Sequence, residues 1–339
     1  MCTGLTVKTT ENDIFFARTM EFGAPLDSSI CIKPKGLQQV AHLDNNQEGY
    51  SWDSSFNYMG FDGQGTNQLI EGFNEGGLYV GGFYLPHYAV YPDLTNPKKS
   101  IGPMNFVDWA LSSYSKVSDV EDALRTGEVE LVSTIFSPLG ADYVPPLHWI
   151  LVDGNGGCAV VEYLENGMNI NPNPYGTITN SPDFTWHTTN LKNYVNLTAL
   201  NAPDRDFAGQ NLSEFGQGSG MLGLPGDFTP PSRFVRAVAL ANTATTVTGE
   251  AKGLNLAWHL INNVDIAIGV VRSPGEEEDD RTQWVSVSDL SRSKLYFRNY
   301  DNQVIRTVDL AEACKGIKGV ERISILEKPK YQNVSREFT

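Results

Sequence analysis

The chain opens Met1-Cys2-Thr3-Gly4-Leu5-Thr6 and continues, after a turn, with Phe15-Phe16-Ala17-Arg18-Thr19-Met20-Glu21-Phe22. Leu5–Lys8 and Ile14–Arg18 are short runs rich in β-branched and aromatic residues, separated by Asn and Asp, and they predict two strands joined as a hairpin. Cys2 heads that hairpin directly behind Met1, and its side chain is small enough for aminopeptidase removal of Met1 to leave it as the first residue. A first-residue Cys holds a thiol and an α-amine of reference pKa about 7.7 to 8.0, so its own amine can serve as general base with no histidine. Arg18, ending the second predicted strand, is the candidate to face Cys2 across the hairpin and favour its thiolate; Glu21 is the carboxylate placed to orient the amine. Without further context, an inert core thiol and a surface ion pair are the commoner roles for such a cysteine and arginine.

Working outward, the blocks alternate in groups. Ser29–Lys33, Gln68–Phe73 and Leu78–Leu85 read as strands, then Phe106, Trp109, Ala110 and Tyr114 fall at helical spacing, and Ser118-Asp119-Val120-Glu121 reads as a capping box opening a second helix. Strands return at 147–153 and 159–163, helices at 231–241 and 250–264, and strands again at 284–287, 294–300 and 304–308. Grouped strands and grouped helices predict an α+β layered domain rather than a doubly wound parallel sheet, in which they would alternate singly. No repeat or Pro-rich linker divides the chain, so residues 1–339 read as one domain. The polar, Gly-rich segment from Asp183 to Pro231 is too long for an ordinary connection and is expected to be functional or interfacial. The acidic run Glu276-Glu277-Glu278-Asp279-Asp280 reads as a solvated turn.

Composition narrows the chemistry. With 40 acidic against 25 basic residues, the formal charge is −15, which argues against nucleic acid or anionic lipid as the main partner. No stretch approaches a membrane-spanning length of about 20 apolar residues. The four cysteines, Cys2, Cys31, Cys158 and Cys314, form no C-x-x-C pair, and with no secretory signal the expected compartment is the cytoplasm. The five histidines show no metal-ligand spacing, so no metal is expected. Gly218-Ser219-Gly220-Met221-Leu222-Gly223 matches a dinucleotide pattern, but Pro225-Gly226 stands where the phosphate-binding helix should start. No G-x-S-x-G elbow or Walker loop is present, and no organic cofactor is expected.

Further motifs give the opening its context: Asn74-Glu75-Gly76-Gly77-Leu78, Pro145-Pro146-Leu147-His148-Trp149, Thr179-Asn180-Ser181-Pro182, Trp186-His187-Thr188-Thr189-Asn190-Leu191 and Gly223-Leu224-Pro225-Gly226-Asp227-Phe228-Thr229-Pro230-Pro231-Ser232-Arg233-Phe234. With the Cys2 and Arg18 stretches, they resemble the choloylglycine hydrolase family of N-terminal-nucleophile amidases, which includes penicillin V acylases and conjugated bile salt hydrolases. The resemblance runs nearly the whole chain. It implies a four-layer αββα fold, two mainly antiparallel sheets between helical layers, acting on a small-molecule amide.

Residue by residue, it implies Cys2 as nucleophile, Arg18 as the cation beside its sulfur, Glu21 at the amine, and an oxyanion hole of the Tyr84 backbone N–H with the Asn180 side-chain amide. Arg233 would stabilise charge in the transition state, and Met20 and Tyr84 would line the acyl site. The family usually carries Asp where Glu21 stands. Bile salt hydrolases usually have Asn where this chain has Tyr84, and the Gram-positive penicillin V acylases have Tyr, so the resemblance leans to penicillin V, with conjugated bile salts second and N-acyl homoserine lactones third. The stretches 56–65 and 135–143 are expected to be pocket loops. Residues 183–220 match an insertion that reaches over neighbouring subunits, which implies a homotetramer. Two other readings are a catalytically silent binding protein on this fold and, with no second Cys near Cys2, a much weaker one as a redox-sensing thiol protein.

Overall fold

The computed structural model describes residues 1–275 and 279–335. Numbered along the chain, the strands of the two large sheets are β1 (Cys2–Lys8), β2 (Ile14–Phe22), β3 (Ser29–Lys33), β4 (Tyr58–Asp62), β5 (Leu69–Asn74), β6 (Leu78–Tyr84) and β7 (Leu147–Asp153). They continue as β8 (Cys158–Leu164), β9 (Gly167–Pro172), β10 (Thr177–Ile178), β11 (Arg281–Asp289), β12 (Lys294–Asn299), β13 (Arg306–Asp309) and β14 (Glu321–Ser324). One sheet runs β10-β1-β2-β11-β12-β13 and the other β9-β8-β7-β6-β5-β4-β3-β14, with every neighbouring pair antiparallel. The main helices are α1 (Phe106–Ser113), α2 (Val117–Thr126), α3 (Phe184–Asn190), α4 (Pro230–Thr243) and α5 (Glu250–Ile261).

The strand period of two sorts the side chains into layers. Along β2, Ile14, Phe16 and Met20 point between the sheets, where they join Phe61, Phe73, Phe83, Ile150 and Trp284 in one buried cluster. Phe16 lies 4.1 Å from Tyr79 and Trp284 stacks 5.0 Å from Phe61, so aromatic contacts tie the sheets face to face. Phe15 and Ala17 point the other way, onto Ala237 of α4 and Ala257, Trp258 and Ile261 of α5. On the far side, Phe106, Trp109 and Leu111 of α1 and Val120 and Leu124 of α2 cover Val80, Trp149, Leu151 and Val161. The result is helices, sheet, sheet, helices: an α+β αββα sandwich. A side chain at Gly4 would stand 2.6 Å from the Phe16 ring and 2.9 Å from Phe83, so this position must be bare for the sheets to close beside Cys2.

Several local expectations are corrected. The second strand runs on to Phe22, because its two faces are both covered and it needs no polar alternation to remain buried. Ser118 is not an N-cap: α2 starts at Val117 with Lys116 before it, and the Asp153 carboxylate accepts the Val117 N–H at 2.9 Å, a cap supplied from a strand distant in sequence. Residues 56–65 are not simply a loop, since 58–62 form the wholly buried β4. The long segment contains α3 and a small hairpin, Arg205–Phe207 with Gln210–Leu212. Of the acidic run, Glu276, Glu277 and Glu278 lie outside the described residues, while Asp280 bridges Val271.

Candidate active site

The β1–β2 register places Cys2 opposite Met20 and Arg18 opposite Gly4, so Arg18 is not directly across from Cys2 as the shorter predicted strand suggested. Both side chains share the inter-sheet face one diagonal step apart, and with no side chain on Gly4 the Arg18 guanidinium reaches back to the thiol. Its Nη2 lies 3.4 Å from Cys2 Sγ and donates to Gly82 O at 2.7 Å, and its plane sits 4.3 Å above the Phe83 ring. Burial alone works against this charge, but Cys2 and the buried carboxylate of Glu71, 3.9 Å away, raise the Arg18 pKa above its ordinary value. Glu71 is anchored by Tyr79 Oη at 2.5 Å, Trp284 Nε1 at 3.1 Å and Ser286 Oγ at 2.9 Å, so it is a fixed counter-charge. Nothing local in Leu69-Ile70-Glu71-Gly72 signals this role; only the pairing of two sheets creates it.

Glu21 alternates to the opposite face of β2 from Met20 and meets Thr282 of β11, whose Oγ1 donates to Glu21 Oε1 at 2.7 Å. Glu21 Oε2 is buried without a hydrogen-bond partner. Burial raises the Glu21 pKa, and the positive charge of Arg233 opposes that rise. Arg233, on the first turn of α4, is fully buried: Nη1 donates to Cys2 O and Thr3 Oγ1, each at 2.6 Å, and Nη2 donates to Asn180 Oδ1 at 2.9 Å. The arginine therefore grips the main chain of the nucleophile and the side chain of Asn180 together.

Asn180 follows β10 at the end of the six-stranded sheet. Its Oδ1 accepts the Cys2 N–H at 2.7 Å, and its Nδ2 donates to Tyr84 O at 2.7 Å. Tyr84 ends β6, and its neighbour Leu85 donates to Pro146 O at 2.6 Å on the β7 side. Since successive residues of an antiparallel strand turn their polar groups to opposite edges, the Tyr84 N–H points away from β7, along the edge where Gly82 O meets Arg18 and Tyr84 O meets Asn180. An Asn amide and a backbone N–H thus lie on the same edge beside the thiol.

A second layer that the sequence reading did not single out holds Asn180. His148 Nδ1 pairs with Glu162 Oε1 at 2.8 Å and its Nε2 with Thr179 O at 3.1 Å, while His187 Nε2 lies 2.7 Å from Asn180 O. His187 stacks on Phe234 at 4.7 Å, and burial pulls its pKa down to about 4, so the ring is neutral. Both histidines stood inside the matched motifs, but only the fold shows that they position Asn180.

Cys2 opens on a narrow slot of about 70 Å³ lined by Met20, Phe22, Leu26, Tyr84, Phe136 and Tyr143, among others. Met20 Sδ is 3.5 Å from Cys2 Sγ. Of the two expected pocket loops, 135–143 supplies Phe136, Leu139 and Tyr143, whereas 56–65 supplies Gly63 and Gln64. Phe22 and Tyr84, edge to face at 6.2 Å, also border a vestibule of about 520 Å³ that includes Met1, Asn180 and Asp280. A cavity of about 620 Å³ at the other end of β1, around Lys8, Cys158 and Leu256, contains none of these residues. Among the described residues no group of His, Cys, Asp and Glu is arranged to hold a metal, and no helix is long and apolar enough to cross a membrane.

A thiol at the head of a sheet-sandwich strand, facing the inter-sheet space, is the arrangement of the N-terminal-nucleophile hydrolases. The fold is similar to that of a variant of the conjugated bile acid hydrolase from Clostridium perfringens, with TM-score 0.87 at 27% identity over 98% of this chain and 100% of that one. It also resembles the penicillin V acylase from Agrobacterium tumefaciens, with TM-score 0.77 at 20% identity over 95% and 91%, a likeness of fold alone. In sequence, the chain is 33% identical to a bile salt hydrolase/transferase of Clostridium perfringens over 91% of this chain and 92% of that protein. It is 32% identical to a conjugated bile acid hydrolase of Lactobacillus gasseri over 89% and 93%. The profile of linear amide C-N hydrolases, choloylglycine hydrolase family, matches residues 2–315. The chain belongs to the choloylglycine hydrolase family, and it is a hydrolase of linear amide bonds.

Proposed function

We propose that this hydrolase works through Cys2 after loss of Met1, and that its preferred acyl group is a small aromatic one, as in penicillin V. The observation that carries the proposal is the Cys2 thiol lining an apolar, aromatic-walled slot with Arg18 Nη2 3.4 Å from its sulfur. In the first step the Cys2 α-amine takes the thiol proton and the sulfur attacks the amide carbonyl. The oxyanion is held by the Tyr84 N–H and Asn180 Nδ2, and the α-ammonium returns its proton to the departing amine. Water, deprotonated by the same amine, then attacks the thioester; the carboxylic acid leaves and the thiol re-forms. Arg233 fixes Cys2 and Asn180 relative to each other, and Glu21 is the carboxylate that supports the amine.

Phe22, Tyr84, Phe136 and Tyr143 give the slot aromatic walls, which support a planar aromatic acyl group as the first reading. Conjugated bile salts are the second reading, favoured by the two sequence relatives at 33% and 32% identity. The proposal includes a single catalytic domain over residues 1–339. It also includes a homotetramer assembled through residues 183–220, whose Val195, Leu200, Phe207, Leu212 and Phe215 are exposed apolar side chains that a second copy would cover. A cytoplasmic setting is supported by four free cysteines.

Steady-state hydrolysis of penicillin V, glycocholate and an N-acyl homoserine lactone, each with the wild type and Cys2→Ala, tests the reading. Penicillin V should give the highest kcat/KM and the variant none. A tenfold advantage for glycocholate would establish the second reading, and equal turnover by Cys2→Ala would remove Cys2 from the mechanism.

A further inference from the structure

The ladder between β2 and β11 slips beside the active site. Thr282 is opposite Glu21 and Trp284 opposite Met20, which leaves Gln283 as an extra residue on β11, a β-bulge. Residues two apart on a regular strand share a face, but the bulge turns Thr282 and Trp284 to opposite faces. Trp284 points between the sheets and donates to Glu71 at 3.1 Å, while Thr282 points the other way and donates to the Glu21 carboxylate. The bulge is itself pinned. Gln283 Nε2 donates to Phe22 O at 2.9 Å and to Ala24 O at 2.7 Å, and its Oε1 accepts the Leu26 N–H at 3.0 Å. These bonds hold Thr282 in register with Glu21.

The direction of the Thr282 hydroxyl is fixed as well. Its oxygen accepts the Ile266 N–H at 2.8 Å, and the Thr282 N–H donates back to Ile266 O at 3.0 Å. Ile266 lies in the connection that leaves α5, next to Asp265, which is paired with Arg298 of β12 at 3.0 Å. With the Ile266 N–H on one side of the oxygen, the hydroxyl proton is left for Glu21 Oε1, 2.7 Å away. Thr282 is 2% exposed and Glu21 0%, so water does not compete for this bond. Glu21 Oε2 is left over as a buried acceptor without a hydrogen-bond partner.

The carboxylate belongs to the residue that faces the chain terminus. Glu21 N–H donates to Met1 O at 2.8 Å and the Met1 ammonium donates to Glu21 O at 2.5 Å. The charges acting on the carboxylate are Arg233 of α4 and that terminal ammonium; with the Thr19 and Thr282 hydroxyls they favour the ion, against burial. Loss of Met1 moves the ammonium one residue along, to Cys2.

We propose that Thr282 is a positioning residue for amide hydrolysis, which holds Glu21 by Oε1 so that Oε2 serves the α-amine of Cys2 once Met1 is gone. The inference rests on the amine mechanism proposed above. Thr282 lines neither the slot nor the vestibule, so it acts through Glu21 and not on the substrate.

Thr282→Val keeps the shape of the side chain and removes the hydroxyl. Losing a hydrogen bond to its charged form raises the Glu21 pKa, so the carboxylate takes up a proton at higher pH and the amine loses its support there. Two pH profiles read this: kcat/KM on a phenoxyacetyl amide, and iodoacetamide alkylation of Cys2 followed by peptide mass, which needs no substrate. Thr282→Val should move both acid limbs up by about one pH unit, a rate about tenfold lower below the limb, through kcat and with KM unchanged. Thr282→Ser, which keeps the hydroxyl, should retain the wild-type limbs. In a Glu21→Gln background Thr282→Val should move neither limb.

If Thr282→Val does not fold for want of an acceptor for the Ile266 N–H, Thr282→Cys decides. Its sulfur is a weak acceptor and its S–H a weak donor, so the limbs should move the same way by less. Limbs that stay at the wild-type position in the folded variant, or an equal shift in the Glu21→Gln background, would overturn the proposal; with Cys2→Ala inactive, the amine mechanism would survive that result. A moved alkylation limb without hydrolysis of the amide would uphold Thr282 and fault the acyl assignment alone.

Discussion

Replacing Asn180 by Asp separates the two jobs its side chain performs. The Oδ1 end accepts from Cys2 N–H at 2.7 Å and Arg233 Nη2 at 2.9 Å, and a carboxylate keeps both. The Nδ2 end, which donates to Tyr84 O at 2.7 Å and is assigned to the oxyanion, is lost. Removing one oxyanion donor costs about 10²- to 10³-fold in kcat, roughly 2.7 to 4 kcal/mol. The stability cost is the loss of one buried hydrogen bond, about 1–3 kcal/mol, offset in part by the charge now facing Arg233. Asn180→Ala removes both ends and leaves the Cys2 N–H and the buried Arg233 Nη2 without the Asn180 Oδ1 acceptor, so it should unfold at markedly lower denaturant than Asn180→Asp. The assay is kcat and KM on a phenoxyacetyl amide beside urea unfolding of the three proteins. An Asn180→Asp enzyme that is folded and within about threefold of wild-type kcat, less than about 0.7 kcal/mol of transition-state stabilisation, would refute the oxyanion role.

Two further outcomes are expected. His187 has a folded pKa of about 4 against an ordinary 6.5, so the unfolded chain binds the extra proton between those values; stability is full above pH 6.5 and falls as the pH drops toward 4. Between pH 7 and 4.5 the wild type should therefore lose about 2.5 kcal/mol more than His187→Gln in chemical denaturation, and parallel pH dependences would contradict a neutral buried ring. The proposed homotetramer predicts a wild-type particle of four 37.3 kDa protomers by light scattering and a smaller one when Phe207, Leu212 and Phe215 are changed together to Asp; a wild-type mass other than four protomers would remove the tetramer, and an unchanged mass in the variant would remove the 183–220 arm from assembly.

The layer order was readable in the sequence because it depends on which elements are grouped, and long apolar periods in β2, β6, β7, α1 and α4 carry that information locally. The site was readable to the extent that its residues lie in short motifs. Cys2, Arg18, Asn180 and Arg233 do come together, although Arg18 gets there diagonally past Gly4 and not from the paired position. What could not be read depends on register and on which face of a strand a residue takes. One residue of alternation puts Glu21 on the face of β2 away from Met20, where its partners are Thr282 of β11 and the charge of Arg233, neither of which the local sequence shows. Glu71, Glu162 and His187 act on the site from other strands or from α3, and no local pattern announces such partners. The false capping box at Ser118 has the same origin, since Asp153 on β7 caps α2 instead.

The most direct test is intact-mass and peptide analysis of enzyme acid-quenched during turnover of penicillin V. The account predicts a phenoxyacetyl thioester on Cys2, at the start of a chain from which Met1 has gone. Active enzyme that retains Met1, or an acyl group on any other residue, would contradict it.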